Sequence, residues 1–274
     1  MWRFFLTLSN WFRVALEPLV RVSPVLGLLV ISLFTGVVML LIFRATSSQE
    51  TIRRTKDKIK AHLLEILLFN DNLSMVFRAQ GSVLAYSLKY LGSAIVPMAV
   101  IIVPIALIVT QSNHLFQSKP PAPNATVTVS TALTRWDQEL AEAISISVPD
   151  GLSVETPALR IPERKQIVWR IRARAYGEFD VVINTPAKSF TKQLTVADSF
   201  RWLSHARVRP TLARLILHSA EPPLDRDAPI DSIEVKYAPA RMRIGPARVH
   251  WLVHFFVFSM VFALIFKPLL KVEI

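Results

Sequence analysis

The chain has 274 residues and no cysteine, so disulfides, thiolate metal sites and thiol nucleophiles are excluded from the outset. Its candidates for chemistry are histidines and arginines. His250 and His254 are four apart, a spacing that sets both rings on one face of a helix and makes them weak candidates for a metal or haem. No third ligand accompanies them, and the expectation is no metal and no cofactor. Arg170, Arg172 and Arg174 alternate with Ile171, Ala173 and Ala175, so a strand there carries three guanidinium groups on one face. With Trp202 they are candidates for contact with lipid headgroups or an acidic partner, against the plainer reading of a solvated face. Arg44 closes a long uncharged run and either snorkels to an interface or points into a wet cavity between helices. Glycine-rich phosphate loops, GxSxG, HExxH and paired cysteines are all missing, and no enzyme is expected. Asn124-Ala125-Thr126 fits a glycosylation sequon and carries little weight.

The elements that must position these residues are unusually apolar. The chain is 52% hydrophobic with a net charge of +12, and its mean hydropathy is +0.39. Apolar and basic surplus in one chain suggest that some segments lie in lipid while others face anionic headgroups. Three stretches, 25–43, 91–110 and 249–266, match the ~20 residues a helix needs to cross a bilayer. Pro97 and Pro104 sit seven apart in the second, near one helix face. Polar groups within the spans are sparse: Ser32, Thr35, Ser93, Thr110 and Ser259.

The segment 44–90 joins the first two spans. It carries Arg44, Arg53, Arg54, Lys56, Lys58, Lys60, Arg78 and Lys89 against Glu50, Asp57, Glu65 and Asp71. The positive-inside rule puts it in the cytoplasm. The N-terminus and the long segment between spans two and three are then outside, and the tail 267–274 is cytoplasmic. The expected location is a bacterial cytoplasmic (inner) membrane. Residues 1–24 lack a small-residue cleavage site and read as a retained interfacial helix, with Trp2, Phe5, Trp11, Phe12 and Leu16 on its apolar face and an end at Pro18 or Pro24. Within 44–90, apolar residues recur every three or four positions from Ile52 to Leu67, Asn70-Asp71-Asn72 signals a turn, and a second helix runs from Leu73 into span two. The result is a helical hairpin with a basic first arm.

From Pro120 the period drops to two. Alternating runs at 126–129, 144–148, 166–173, 179–183, 192–196 and 233–237, with turns at Pro149-Asp150-Gly151 and Tyr176-Gly177-Glu178, predict an all-β, sandwich-like domain over 120–245. The stretch from Arg201 to Ser219 breaks the pattern and reads as a short helix or a loop packed on the membrane. The fold class expected is therefore membrane α-helical, with an extracytoplasmic β-domain inserted between the second and third spans.

The order of these parts resembles the core of the YidC/Oxa insertase superfamily, which includes archaeal homologues and the insertase-like subunit of the endoplasmic reticulum membrane complex. The matching features are an interfacial helix, an N-out span ending in Arg44, a basic cytoplasmic hairpin and a proline-bearing span, over roughly Leu6 to Gln111. The third span stands as the third core helix, and the inserted β-domain departs from the usual family pattern. The resemblance implies a membrane-protein chaperone that assists insertion or assembly. Arg44 would be the groove cation, with Ser32, Thr35, Ser93 and Ser259 beside the groove, and Ile52 to Leu88 would receive clients. The other reading is a non-catalytic accessory or scaffold subunit of a larger membrane complex. Partners are then membrane lipids and other membrane proteins, as clients or subunits, and no nucleic acid.

Overall fold

The computed structural model describes residues 2–69, 71–244 and 247–272. Met1, Asn70 of the expected turn, Gly245 at the end of the expected β-domain, Pro246, and Glu273 and Ile274 of the expected tail lie outside the described residues. The chain forms two compact units, Met1–Leu28 with Val109–His254, and Leu29–Ile108 with Phe255–Ile274.

Seven helices are assigned among the described residues: α1 (Trp2–Val22), α2 (Pro24–Thr46), α3 (Gln49–Leu68), α4 (Leu73–Phe116), α5 (Gln138–Ala143), α6 (Leu212–Leu217) and α7 (Trp251–Leu269). α2, α4 and α7 are long and apolar enough to cross a membrane. α1 does not end at Pro18 but runs through it to Val22; a proline removes only its own amide bond, and the surrounding turns hold. Pro24 instead opens α2, where its missing N–H costs nothing. Leu16, expected on the apolar face of this helix, is buried.

In the helical unit α3 lies along α4. The Lys58 Nζ donates to the Tyr86 hydroxyl at 3.3 Å, and the His62 and Tyr86 rings stack with centroids 5.7 Å apart. Lys56 sits over the Tyr90 ring. The α3–α4 turn is closed by Asn72, whose side-chain oxygen accepts the Met75 amide at 3.3 Å. α4 is one unbroken helix from Leu73 to Phe116, so the second hairpin arm and the second apolar stretch are a single element, about 66 Å long at 1.5 Å per residue. α7 starts two residues later than expected because Ala247–Val249 is strand, and it continues to Leu269.

Among its described residues the β-rich unit carries thirteen short strands in chain order: β1 (Ser118–Lys119), β2 (Thr126–Leu133), β3 (Ser145–Ser147), β4 (Leu152–Val154), β5 (Leu159–Ile161), β6 (Gln166–Ala173), β7 (Gly177–Asn184), β8 (Ser189–Val196), β9 (Ala206–Val208), β10 (Ile230–Lys236), β11 (Ala238–Pro239), β12 (Met242–Ile244) and β13 (Ala247–Val249). A six-stranded sheet runs β4-β6-β2-β10-β9, with β5 also paired to β6, and a three-stranded sheet runs β3-β7-β8. Every pairing is antiparallel. Inward residues of both sheets, including Val129, Trp169, Ile171, Ile183, Leu194 and Ile233, share one apolar core, the arrangement of a sandwich. The Pro149-Asp150-Gly151 turn needs its glycine: Gly151 has φ +100°, and the Phe179 ring leaves no room for a β-carbon. The stretch 201–219, expected to be a short helix or a loop, supplies the short helix α6 and also the edge strand β9.

Candidate functional site

The most distinctive surface of the helical unit follows from the heptad spacing along α4. Ala79, Val83, Tyr86, Tyr90, Ser93, Pro97, Pro104 and Ile108 recur at three, four and seven and are buried or half-buried. Both prolines thus lie on the inward rail. On the other side, Leu73, Phe77, Leu84, Leu88, Leu91, Ile95, Met98 and Ile102 form an apolar stripe, each at least 60% exposed. Gly81 and Gly92 lie along this helix with open space where a side chain would be. The tip of the hairpin extends the stripe sideways through Leu63, Leu64, Leu67, Leu68 and Phe69, all exposed. From Leu73 to Ile102 the stripe is about 44 Å long at 1.5 Å per residue, longer than the ~30 Å hydrocarbon layer.

α2 and α7 meet differently. A β-carbon on Gly36 would lie 2.7 Å from the Ser259 carbonyl oxygen and 3.2 Å from the Ala263 amide nitrogen, so the two backbones touch there. Ser32, Thr35 and Ser259, expected beside a groove, are buried. The Thr35 hydroxyl donates to the Ile31 carbonyl at 2.7 Å, while those of Ser32 and Ser259 have no hydrogen-bond partner among the described residues. Ser93, on the inward rail of α4, donates to the Tyr90 carbonyl at 2.7 Å.

Arg44 is exposed, and its Nη1 donates to the Leu270 carbonyl at 3.1 Å. It therefore satisfies one of the orphan carbonyls at the end of α7, where a cation also opposes the negative end of the helix dipole. It stands nine residues beyond Thr35, about 13 Å along α2, so the structure does not bring the arginine and the buried hydroxyls together. Beside this contact lies an open hollow of about 780 Å³ lined by Gln49, Glu50, Arg53, Arg54, Asp57, Lys267, Pro268, Lys271 and Val272.

The β-rich unit holds a buried polar cluster that sequence reasoning missed. Lys192 is fully buried; its Nζ donates to the Glu221 carboxylate at 2.8 Å, to the Ser204 carbonyl at 2.8 Å and hydroxyl at 3.0 Å, and to the Gln193 carbonyl at 3.0 Å. Burial pushes its pKa down while Glu221 pulls it up, and the net direction is down. Nearby, burial and then the charge on Lys192 lower the His205 pKa to about 4. Tyr237, whose ring edge meets the His205 ring at 5.6 Å, has its phenol pKa raised by burial. The signal for Lys192 was available: it alternates in phase with Phe190 and Leu194, which face the core. Glu17 on α1 is buried between Arg13 and Arg21; burial raises its pKa, and the hydrogen bonds from Arg21 and Arg13 overcome that and hold it low.

The remaining candidates settle as follows. Trp202 is buried, not at a surface, with its ring 5.0 Å from that of His114; it belongs to the packing of the β-rich unit. Arg170 and Arg172 are exposed and share Glu155, at 3.3 Å and 2.6 Å, and Arg174 donates to the Ser153 hydroxyl at 3.0 Å. The row thus runs along a solvated strand and is partly neutralised. His250 precedes the first residue of α7, and its Nδ1 accepts the Leu252 amide at 3.4 Å. It is exposed while His254 is buried, so the spacing of four does not produce a shared face. Among the described residues no group of three or more His, Asp or Glu is placed to hold a metal. No protein-family model, curated protein or solved structure matches the chain.

Proposed function

We propose that this chain is an insertase-like membrane chaperone, related in plan to the YidC/Oxa superfamily, that helps client membrane proteins insert or assemble. The observation that carries the reading is the α4 stripe. An exposed apolar track about 44 Å long exceeds a ~30 Å hydrocarbon layer, and its excess lies at the basic hairpin end, where water-exposed Leu73, Phe77, Leu84 and Leu88 need a cover. A client helix sliding along that track would keep apolar contact from the hairpin to the bilayer, offsetting the several kcal/mol that each unsatisfied backbone group costs in lipid. In this reading the chain spans a bacterial inner membrane three times, N-terminus outside and hairpin and C-terminus inside, on the strength of the basic excess of 44–90. Its partners are lipids and other membrane proteins, and it is not an enzyme.

A second reading is favoured by the regularity of the same stripe. Positions 84, 88, 91, 95, 98 and 102 alternate by four and three, the spacing of a coiled-coil seam, and a permanent partner helix would fit it. The chain would then be an accessory or scaffold subunit. The two readings separate by photo-crosslinking from Leu84 and Leu88 in the full chain reconstituted in vesicles, with a newly synthesised single-span client supplied. Transient adducts to the client, together with an about fivefold loss of client insertion in a Leu84→Glu/Leu88→Glu variant, support the chaperone. Adducts only to one co-purified subunit at fixed stoichiometry, with client insertion unchanged, support the scaffold and sink the first reading.

A further inference from the structure

We infer that the hollow between the start of α3 and the end of α7 holds the phosphate of an anionic phospholipid headgroup; the inference rests on the membrane-spanning reading of α2 and α7. Arg53, Lys267 and Lys271 converge on the hollow, and among the described residues none of the three has an ion-pair partner. Among the described residues the acidic groups there are Glu50, which is paired with Arg54, and Asp57. Three uncommitted cations facing one carboxylate leave a positive hollow, and phosphate is the anion such donors match best.

Two features assign the phosphate to a lipid. Lys267 follows directly on the uncharged run Trp251 to Phe266, which places its ammonium where the hydrocarbon ends and headgroup phosphates begin. The hollow is also open, as a site must be for a molecule whose tails stay in the bilayer. The local backbone is built to present the second lysine. Lys271 sits at φ +49°, a left-handed position normally given to glycine. The turn around it is fixed by the Val272 amide on the Lys267 carbonyl at 3.2 Å, the Lys271 amide on the Pro268 carbonyl at 3.2 Å, and Arg44 on the Leu270 carbonyl. A lysine kept where glycine would be less strained points to a use for its ammonium.

The test is native mass spectrometry of the full-length chain released from nanodiscs containing phosphatidylglycerol and phosphatidylcholine in equal amounts. The wild type should retain phosphatidylglycerol about tenfold over phosphatidylcholine, and an Arg53→Gln/Lys267→Gln/Lys271→Gln variant should lose that preference. Arg170→Gln/Arg172→Gln, cations of the other unit, should retain it. Lys271→Gly guards against simple misfolding: it relieves the left-handed strain, so its unfolding midpoint should rise or hold while retention of phosphatidylglycerol falls. A triple variant that keeps the preference overturns the site, and displacement of phosphatidylglycerol by an equal concentration of inorganic phosphate overturns the lipid assignment. Extraction of the wild type from vesicles by alkaline carbonate would sink the membrane reading itself. Equal retention of the two lipids by a chain that resists extraction sinks only the headgroup site.

Discussion

α2 and α4 both carry a long, uncharged apolar run, yet one is a closed surface and the other an open one. In the apolar window of α2, 39% of the residues are buried, against 11% in α4. The difference lies in small residues and where they point. Gly36 of α2 is pressed against the backbone of α7, with Ser32 and Thr35 buried on the same face. Gly81 and Gly92 of α4 face nothing. Both helices are long and apolar enough to cross a membrane, but only α2 has its close-packing residues in use. Under the function proposed above, this unused apolar face with its open glycines is where a client helix or a partner subunit would lie.

The sharpest way to break this comparison is to fill the two kinds of glycine. Gly36→Leu forces α2 off α7 and should destabilise the helical unit by about 3 kcal/mol, seen as a lowered denaturation midpoint in detergent. If it is tolerated, the seam is not closed and the contrast fails. Acidification sharpens the comparison by marking the other unit. His205 has a folded-state pKa of about 4 against an ordinary 6.5, so below pH 6.5 the unfolded chain takes up a proton that the folded one refuses. Stability of the β-rich unit should therefore fall as pH drops from 6.5 towards 4, by up to about 1.4 kcal/mol per pH unit. His205→Gln should remove its own share of that slope and leave the share of His218, whose pKa burial also lowers. A transition that moves with pH and ignores Gly36→Leu belongs to the β-rich unit, and the converse transition belongs to the helices. The smallest effect is expected on the open side, where Gly81→Ala should stabilise by about 0.5–1 kcal/mol through helix propensity alone. A loss of stability there would mean that the backbone at Gly81 is already covered.

Much of this architecture was legible because single elements announce themselves by period. The three apolar helices follow from run length, β6 falls where strict alternation put it, Gln166–Ala173, and β2 starts at the expected Thr126 but runs past 129 to Leu133. Asn72 capped the second hairpin arm as the turn signal implied. What stayed hidden depends on partners far apart in sequence. The β9 and α6 segment has too few residues per element for a period to register. Lys192 could be placed on an inward face, but Glu221, which makes that placement possible, is 29 residues on. The hollow joins Arg53 to Lys267 and Lys271, and no local pattern links residues more than two hundred positions apart. Trp202 was misread for a related reason: an aromatic beside arginines suits an interface, and only the packing of His114 against it shows that it is interior.

The strand order of the larger sheet has a consequence for how the domain is made. β10 lies between β2 and β9, and so in the interior of the sheet, yet it is the last of that sheet's strands to leave the ribosome. Until Ile230–Lys236 is available, β2 has an unpaired edge and β9 has nothing to pair with. Lys192 waits in the same way for Glu221. The early strands are therefore held in a half-built state that is costly to close and prone to mispairing, because closure depends on contacts distant in sequence. Only fourteen residues separate β10 from α7. Completion of the domain and arrival of the last apolar helix are thus nearly the same event in the life of the nascent chain.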